Sequence, residues 1–100
     1  MYVSRLMFHT HPGKTDEVEA KLKQLEELVS TAGGGRPRVL RSHFASDGAP
    51  DVVFEQDADD LAQLETQIAA VTANQQFQQW SEGMSGLLLR SPKREIYQMR

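Results

Sequence analysis

A strand-like segment, an amphipathic helix and a second strand-like segment follow one another twice within 100 residues, and no other feature restricts the fold as much. Tyr2 to His9 mixes aromatic and apolar residues with Ser4 and Arg5 and reads as a strand. His11-Pro12-Gly13 ends it, because Pro12 cannot donate to a ladder and Gly13 permits a sharp turn. Thr15 is the expected cap of the next element, with Asp16 and Glu17 at the positive end of the helix dipole. Val18, Leu22, Leu25, Leu28 and Val29 recur at intervals of three and four, which makes one apolar stripe. Glu19, Lys21, Lys23, Glu26 and Glu27 fill the solvated side, and Gly33-Gly34-Gly35 reads as the C-terminal cap and turn.

The second unit opens with a strand expected over Arg38 to Ala45 and another over Asp51 to Gln56. Ser46-Asp47-Gly48-Ala49-Pro50 between them has hairpin composition, so the two strands should pair antiparallel. Asp57 is the expected cap of the following helix, with Asp60 three residues on as a variant capping box. Leu61, Leu64, Ile68 and Val71 form its stripe. Asn74 interrupts that helix and caps a short continuation carrying Phe77, Trp80 and Met84. After Ser91-Pro92, Arg94 to Met99 is the last strand. Two such units place both helices on one face of a four-stranded antiparallel sheet and leave the other face open.

Alternation sorts the strand residues between these faces. On the open face it puts Val3, Arg5, Met7, His9, Val39, Arg41, His43, Val53 and Glu55. A slip of one residue would exchange a strand's two sets. So mixed a face suits a surface that closes on a partner sheet and keeps a polar pocket between the two. The competing reading is a solvated sheet with singly exposed apolar residues.

Composition narrows the function. The chain is 39% hydrophobic and 25% charged, as expected of one globular domain over residues 1–100. The net charge is -3 and the basic residues are scattered, apart from Lys93, Arg94 and Arg100, so no nucleic-acid partner is expected. The absence of cysteine removes thiol catalysis, disulfides and thiolate metal sites. With no long apolar run and no leader-like start, the expected location is cytoplasmic, without a membrane partner.

The first strand ending at His11-Pro12-Gly13-Lys14, the helix from Thr15 and the strand around Val39-Leu40-Arg41-Ser42 carry a resemblance. So do Asp60-Leu61 and Asn74-Gln75-Gln76-Phe77-Gln78-Gln79-Trp80. The chain resembles the dimeric α/β-barrel superfamily of ferredoxin-like domains. Within it, the likeness is to NIPSNAP-type and antibiotic-biosynthesis-monooxygenase-type small proteins. The resemblance implies an α+β β-α-β-β-α-β fold and a homodimer through the open sheet face. Activity does not follow from fold, because the superfamily holds monooxygenases, haem-degrading enzymes and isomerases.

His9 and His43 are the candidate general bases, since small environmental shifts place a histidine near neutrality. A structural histidine at the rim of the sheet is the competing reading. Arg5 and Arg41 are candidates to hold a carboxylate or phenolate, with Glu55 beside them. Alternatively, one of the arginines pairs with Glu55 across strands. Nothing has metal-ligand spacing, and no metal is expected. The resemblance sets Trp80 and Asn74 near a ligand, although an aromatic at helical spacing suits the core and Asn74 suits a cap. Haem-degrading relatives need an axial histidine on the second helix, and none lies between Asp57 and Leu89. The expectation is therefore a protein for a small, partly aromatic ligand, working without a cofactor. As an enzyme it would be a monooxygenase; the alternatives are a non-catalytic interaction module or a small isomerase or lyase.

Overall fold

The computed structural model describes residues 1–100. Its elements run β1 (Tyr2–Phe8), α1 (Thr15–Thr31), β2 (Gly35–Arg41), β3 (Val52–Ala58), α2 (Leu61–Thr72), α3 (Gln75–Ser85) and β4 (Lys93–Gln98). The strands form one sheet in the order β2-β3-β1-β4, with every neighbouring pair antiparallel. This is the ferredoxin-like α+β arrangement. The expected interruption of the second helix is present, and Asn74 caps α3 by accepting from the Gln76 amide at 2.7 Å.

All three helices pack on one face of the sheet. Val18, Leu22, Leu25 and Val29 of α1 join Val71 of α2, Trp80 and Met84 of α3, and Phe8, Val52 and Phe54 of the sheet in one buried cluster. The apolar stripe directs α1 and α3 to the core as the spacing required, whereas on α2 Leu64 and Val71 turn inward with Gln67 and the expected Leu61 is exposed. At the end of α1 the chain turns sharply back into β2. Gly33 takes a φ of 88°, and a Cβ on Gly34 would overlap Val29 Cγ1, so the turn is built on glycine.

Two caps differ from the expectation. Lys14, not Thr15, holds the cap position of α1 and makes no side-chain cap bond. The Thr15 hydroxyl is instead engaged with that of Thr10 at 2.8 Å. For α2 the cap is Asp60 rather than Asp57, accepting from the Gln63 amide at 2.7 Å. Asp57 still belongs to β3, where its carboxylate meets Arg38.

β2 also departs from the expectation, and here the change reaches the site. The strand starts at Gly35, three residues early, and ends at Arg41, with an irregularity between Gly35 and Arg38. Val39 stands opposite Phe54 and Arg41 opposite Val52, both on the helix side. Val39 packs against the core and Arg41 reaches Asp16 of α1 at 2.5 Å. The two sets of β2 are thus exchanged: Arg38 and Leu40, not Val39 and Arg41, lie on the open face. The other three strands divide as alternation requires.

Candidate functional site

On the open face, Glu55 is 5% exposed although it lies on a surface no helix covers. It is enclosed by arginines. Arg5 Nε donates to Oε2 at 2.7 Å from the directly opposed position on β1, and Arg38 reaches Oε1 at 3.0 Å from β2. Arg38 also meets Asp57 at 3.1 Å, and the Arg5 guanidinium lies 5.1 Å from the centre of the Tyr97 ring. The Tyr97 phenol donates to Glu95, and that hydrogen bond to a carboxylate raises its pKa above the usual tyrosine value. Every cation here already has an anion or an aromatic ring.

The remaining expected site residues scatter. His9 is at the rim of the same face, its Nε2 3.1 Å from the Gly48 carbonyl. His43 lies beyond the end of β2 in an exposed loop, edge-on to the exposed ring of Phe44. Arg41, on the opposite face, has its pKa raised by the hydrogen bond to Asp16. Arg5 and Glu55 are brought together as the cross-strand pair; His43 and Arg41 do not join them. Trp80 is buried, stacks on Phe77 at 5.5 Å and donates Nε1–H to the Lys21 carbonyl at 2.6 Å. No three side chains of the metal-ligating types converge anywhere.

The helix side holds groups that periodicity alone did not single out. A cleft of about 380 Å³ opens between α3 and the β1–β4 edge, walled by Leu6, Phe8, Phe77, Trp80 and Leu88 with Arg90 and Arg94. Beside it, a smaller pocket of about 50 Å³ lies between the sheet and α1–α2, and shares Leu6, Phe77 and Arg94 with the cleft. Arg94 stands opposite Leu6, so its side chain projects to the helix side. As a residue it is exposed on the edge strand, yet its guanidinium turns inward and donates to Ser4 Oγ at 2.5 Å. Desolvation there lowers its pKa from the usual arginine value. No carboxylate lies within ion-pair distance, in contrast to Arg5, Arg38 and Arg41. Ser4 in turn is opposite Gln56, which is 4% exposed, while Gln67 of α2 is 7% exposed. Gln56 Oε1 and both polar atoms of the Gln67 side chain have no hydrogen-bond partner in the protein. Alternation on β4 was the available signal for Arg94, since it puts Arg94 on the side of Ile96, which stands opposite the buried Ser4.

A larger groove of about 540 Å³ runs between α1 and the α2–α3 junction, past Asn74 and Trp80. It carries no cation and no buried unpartnered group. The helix-side cleft is the better-built site.

Comparison with known proteins places the fold. No protein-family model matches the chain, and no curated protein does. Solved structures do. A NIPSNAP domain protein of Burkholderia xenovorans superposes with a TM-score of 0.73 at 19% identity, covering 100% of this chain and 95% of that one. A candidate antibiotic biosynthesis monooxygenase of Nitrosomonas europaea gives 0.70 at 17% identity, with 99% and 98% covered. Another from Bordetella bronchiseptica gives 0.72 at 18%, with 99% and 97% covered. The chain has the fold shared by NIPSNAP-domain and antibiotic-biosynthesis-monooxygenase-like proteins. No helix is long and apolar enough to cross a membrane.

Proposed function

We propose that the chain binds a small apolar anion in the cleft between α3 and the β1–β4 edge, and that it oxygenates such a ligand without metal or flavin. The observation that carries this reading is Arg94: a partly desolvated guanidinium with no carboxylate, set where an aromatic-walled cleft meets a smaller pocket. An unpaired cation in such surroundings is costly by itself and is compensated by an anionic ligand. The names carried by several structures of the same fold agree with the oxygenase reading.

The chemistry asked of the cleft is modest. A phenolic or enolic substrate gives its proton to water more readily beside Arg94, and the delocalised anion is electron-rich at carbon. Dioxygen takes two electrons from a CH₂ carbon to give a hydroperoxide, which loses water and leaves a carbonyl. The substrate is oxidised, one oxygen atom is retained and the other leaves as water. His9 and His43 take no part, because neither lines the cleft.

A second copy of the chain is the proposed cover of the open face. Leu40, Tyr97 and Met99 are exposed there around the Glu55 network, and a partner sheet would take this apolar surface out of water. Sedimentation at micromolar concentration should give a dimer, and a monomer removes this part of the proposal.

Titration with naphthoate tests the cleft. Arg94→Met should weaken binding about 10-fold or more, the worth of a charge-assisted hydrogen bond. An anthrone should be converted to the quinone with uptake of dioxygen, and the variant should lose that activity. Binding without turnover would leave a carrier or interaction module. No binding at all would sink the cleft reading.

A further inference from the structure

The smaller pocket beside the cleft has a chemistry of its own, and its role in recognition rests on the cleft being the ligand site. Gln56 and Gln67 both line this pocket of about 50 Å³, and both also border the turn at Gly33-Gly34-Gly35, where Gln56 Oε1 lies beside Gly34. Both are more than nine-tenths buried, and three of their polar atoms have no protein partner: Gln56 Oε1, Gln67 Oε1 and Gln67 Nε2. Buried side-chain amides are nearly always hydrogen-bonded to protein or to ordered water, so this pair takes its partners from outside the chain. Their positions are fixed by regular structure. Gln56 sits mid-strand opposite Ser4, and Gln67 lies on the inward face of α2 with Leu64 and Val71. Neither needed to be polar for the fold, since their neighbours on that face are Phe54, Leu25 and Val29.

The atoms left open specify the partner. Gln67 presents both ends of its amide, so exchanging its oxygen and nitrogen changes nothing. It offers a donor and an acceptor at once. That combination calls for a group that donates as well as accepts. A hydroxyl or a carboxamide meets this; a ketone, an ether or a methyl group does not. The volume is enough to admit such a group, because a site holds a water-sized group once about 10–15 Å³ is open to it.

We infer that Gln56 and Gln67 form a neutral specificity subsite that selects ligands bearing a hydroxyl or carboxamide beyond the anionic group held by Arg94. The two halves of the site then divide the recognition. Arg94 accepts the negative charge, the aromatic walls take the ring, and the amide pair distinguishes a hydroxylated ring from its methyl ether. A site built to hydrogen-bond a hydroxyl rejects an analogue that leaves its buried groups unpaired far more strongly than an apolar pocket would.

The experiment compares naphthoate with its hydroxy and methoxy derivatives, across the ring positions, by titration calorimetry on the full chain. The wild type should bind at least one hydroxy isomer about 10-fold or more tightly than its methoxy partner. Gln67→Leu should abolish that preference, bringing the hydroxy and methoxy forms to equal affinity, whereas Arg94→Met should weaken every member of the series. Gln67→Met, nearer in shape, serves if the leucine variant does not fold. Equal affinity of the hydroxy and methoxy forms in the wild type overturns the inference while leaving the Arg94 cleft standing. So does a preference that survives in the Gln67 variant. Failure of naphthoate itself to bind removes the cleft and the subsite together.

Discussion

Replacing Glu55 by glutamine keeps the shape of the open face and removes its central charge. The Glu55 side chain is 7% exposed, and it holds Arg5 at 2.7 Å and Arg38 at 3.0 Å. Breaking a fully buried ion pair costs about 3–5 kcal/mol, chiefly because the abandoned partner stays desolvated. That condition is only half met here. The Arg5 and Arg38 side chains are 40% and 33% exposed and can recover water. Arg38 keeps Asp57 at 3.1 Å, and Arg5 keeps the Tyr97 ring at 5.1 Å. The glutamine oxygen can still accept from one of them. The loss should therefore be about 1–3 kcal/mol, not the full figure. In a domain of this length it should lower Tm by roughly 4–8 °C for each kcal/mol. Urea denaturation of wild type and Glu55→Gln at neutral pH measures it directly. Repeating the pair at high and low protein concentration adds a second readout. If another copy covers this face, the arginines cannot rehydrate, and the penalty should grow where the dimer is populated. A change within about 0.5 kcal/mol would refute the reasoning, because it would equate this network with an ordinary exposed pair.

Other consequences are as direct. Gly34→Ala should destabilise by about 1–3 kcal/mol, because the new methyl overlaps Val29 Cγ1 and meets Gln56 Oε1 at 2.8 Å; an unchanged urea midpoint would show that the turn yields freely. Asp60→Ala should cost about 0.5–2 kcal/mol as the loss of a true cap, and a cost near zero would return the role to another residue. The Tyr97 phenol has a raised folded-state pKa because it donates to Glu95, so its contribution is present at neutral pH and lost as pH rises through that value. The stability difference between wild type and Tyr97→Phe should accordingly shrink above pH about 10, and a difference that stays flat would exclude this linkage.

Much of the architecture was legible because it is written in local spacing. Val18, Leu22, Leu25 and Val29 can share a buried face only on a helix. The turn at Gly33-Gly34-Gly35 has no room for side chains at its tightest point. Asn74 could be read as a break because an asparagine before Gln75 and Gln76 supplies the missing acceptor for a new helix. The antiparallel pairing of Arg5 with Glu55 was also within reach, as one of two readings of the same arginine.

The helix-side site was not legible in the same way. Which face a strand residue occupies depends on register, and alternation alone does not set the phase of β2, which carries an irregularity at Gly35 to Arg38. The register beyond it places Arg41 on the helix side, where Asp16 takes it, and Arg38 beside Glu55. Arg94 read as one of several basic residues near the C-terminus, since its importance lies in what it lacks. Whether a guanidinium has a carboxylate within reach is settled by every strand and helix around it. Gln56 and Gln67 are eleven positions apart in sequence and ordinary in type; only the packing of α2 over β3 makes them a pair of buried amides around one cavity. The sequence by itself determined the elements, their order and the existence of an open sheet face, because hydrophobic periodicity and turn chemistry act over a few residues. The tertiary structure decided which ions are paired and which polar groups are left over, because those depend on distances between segments that periodicity does not encode.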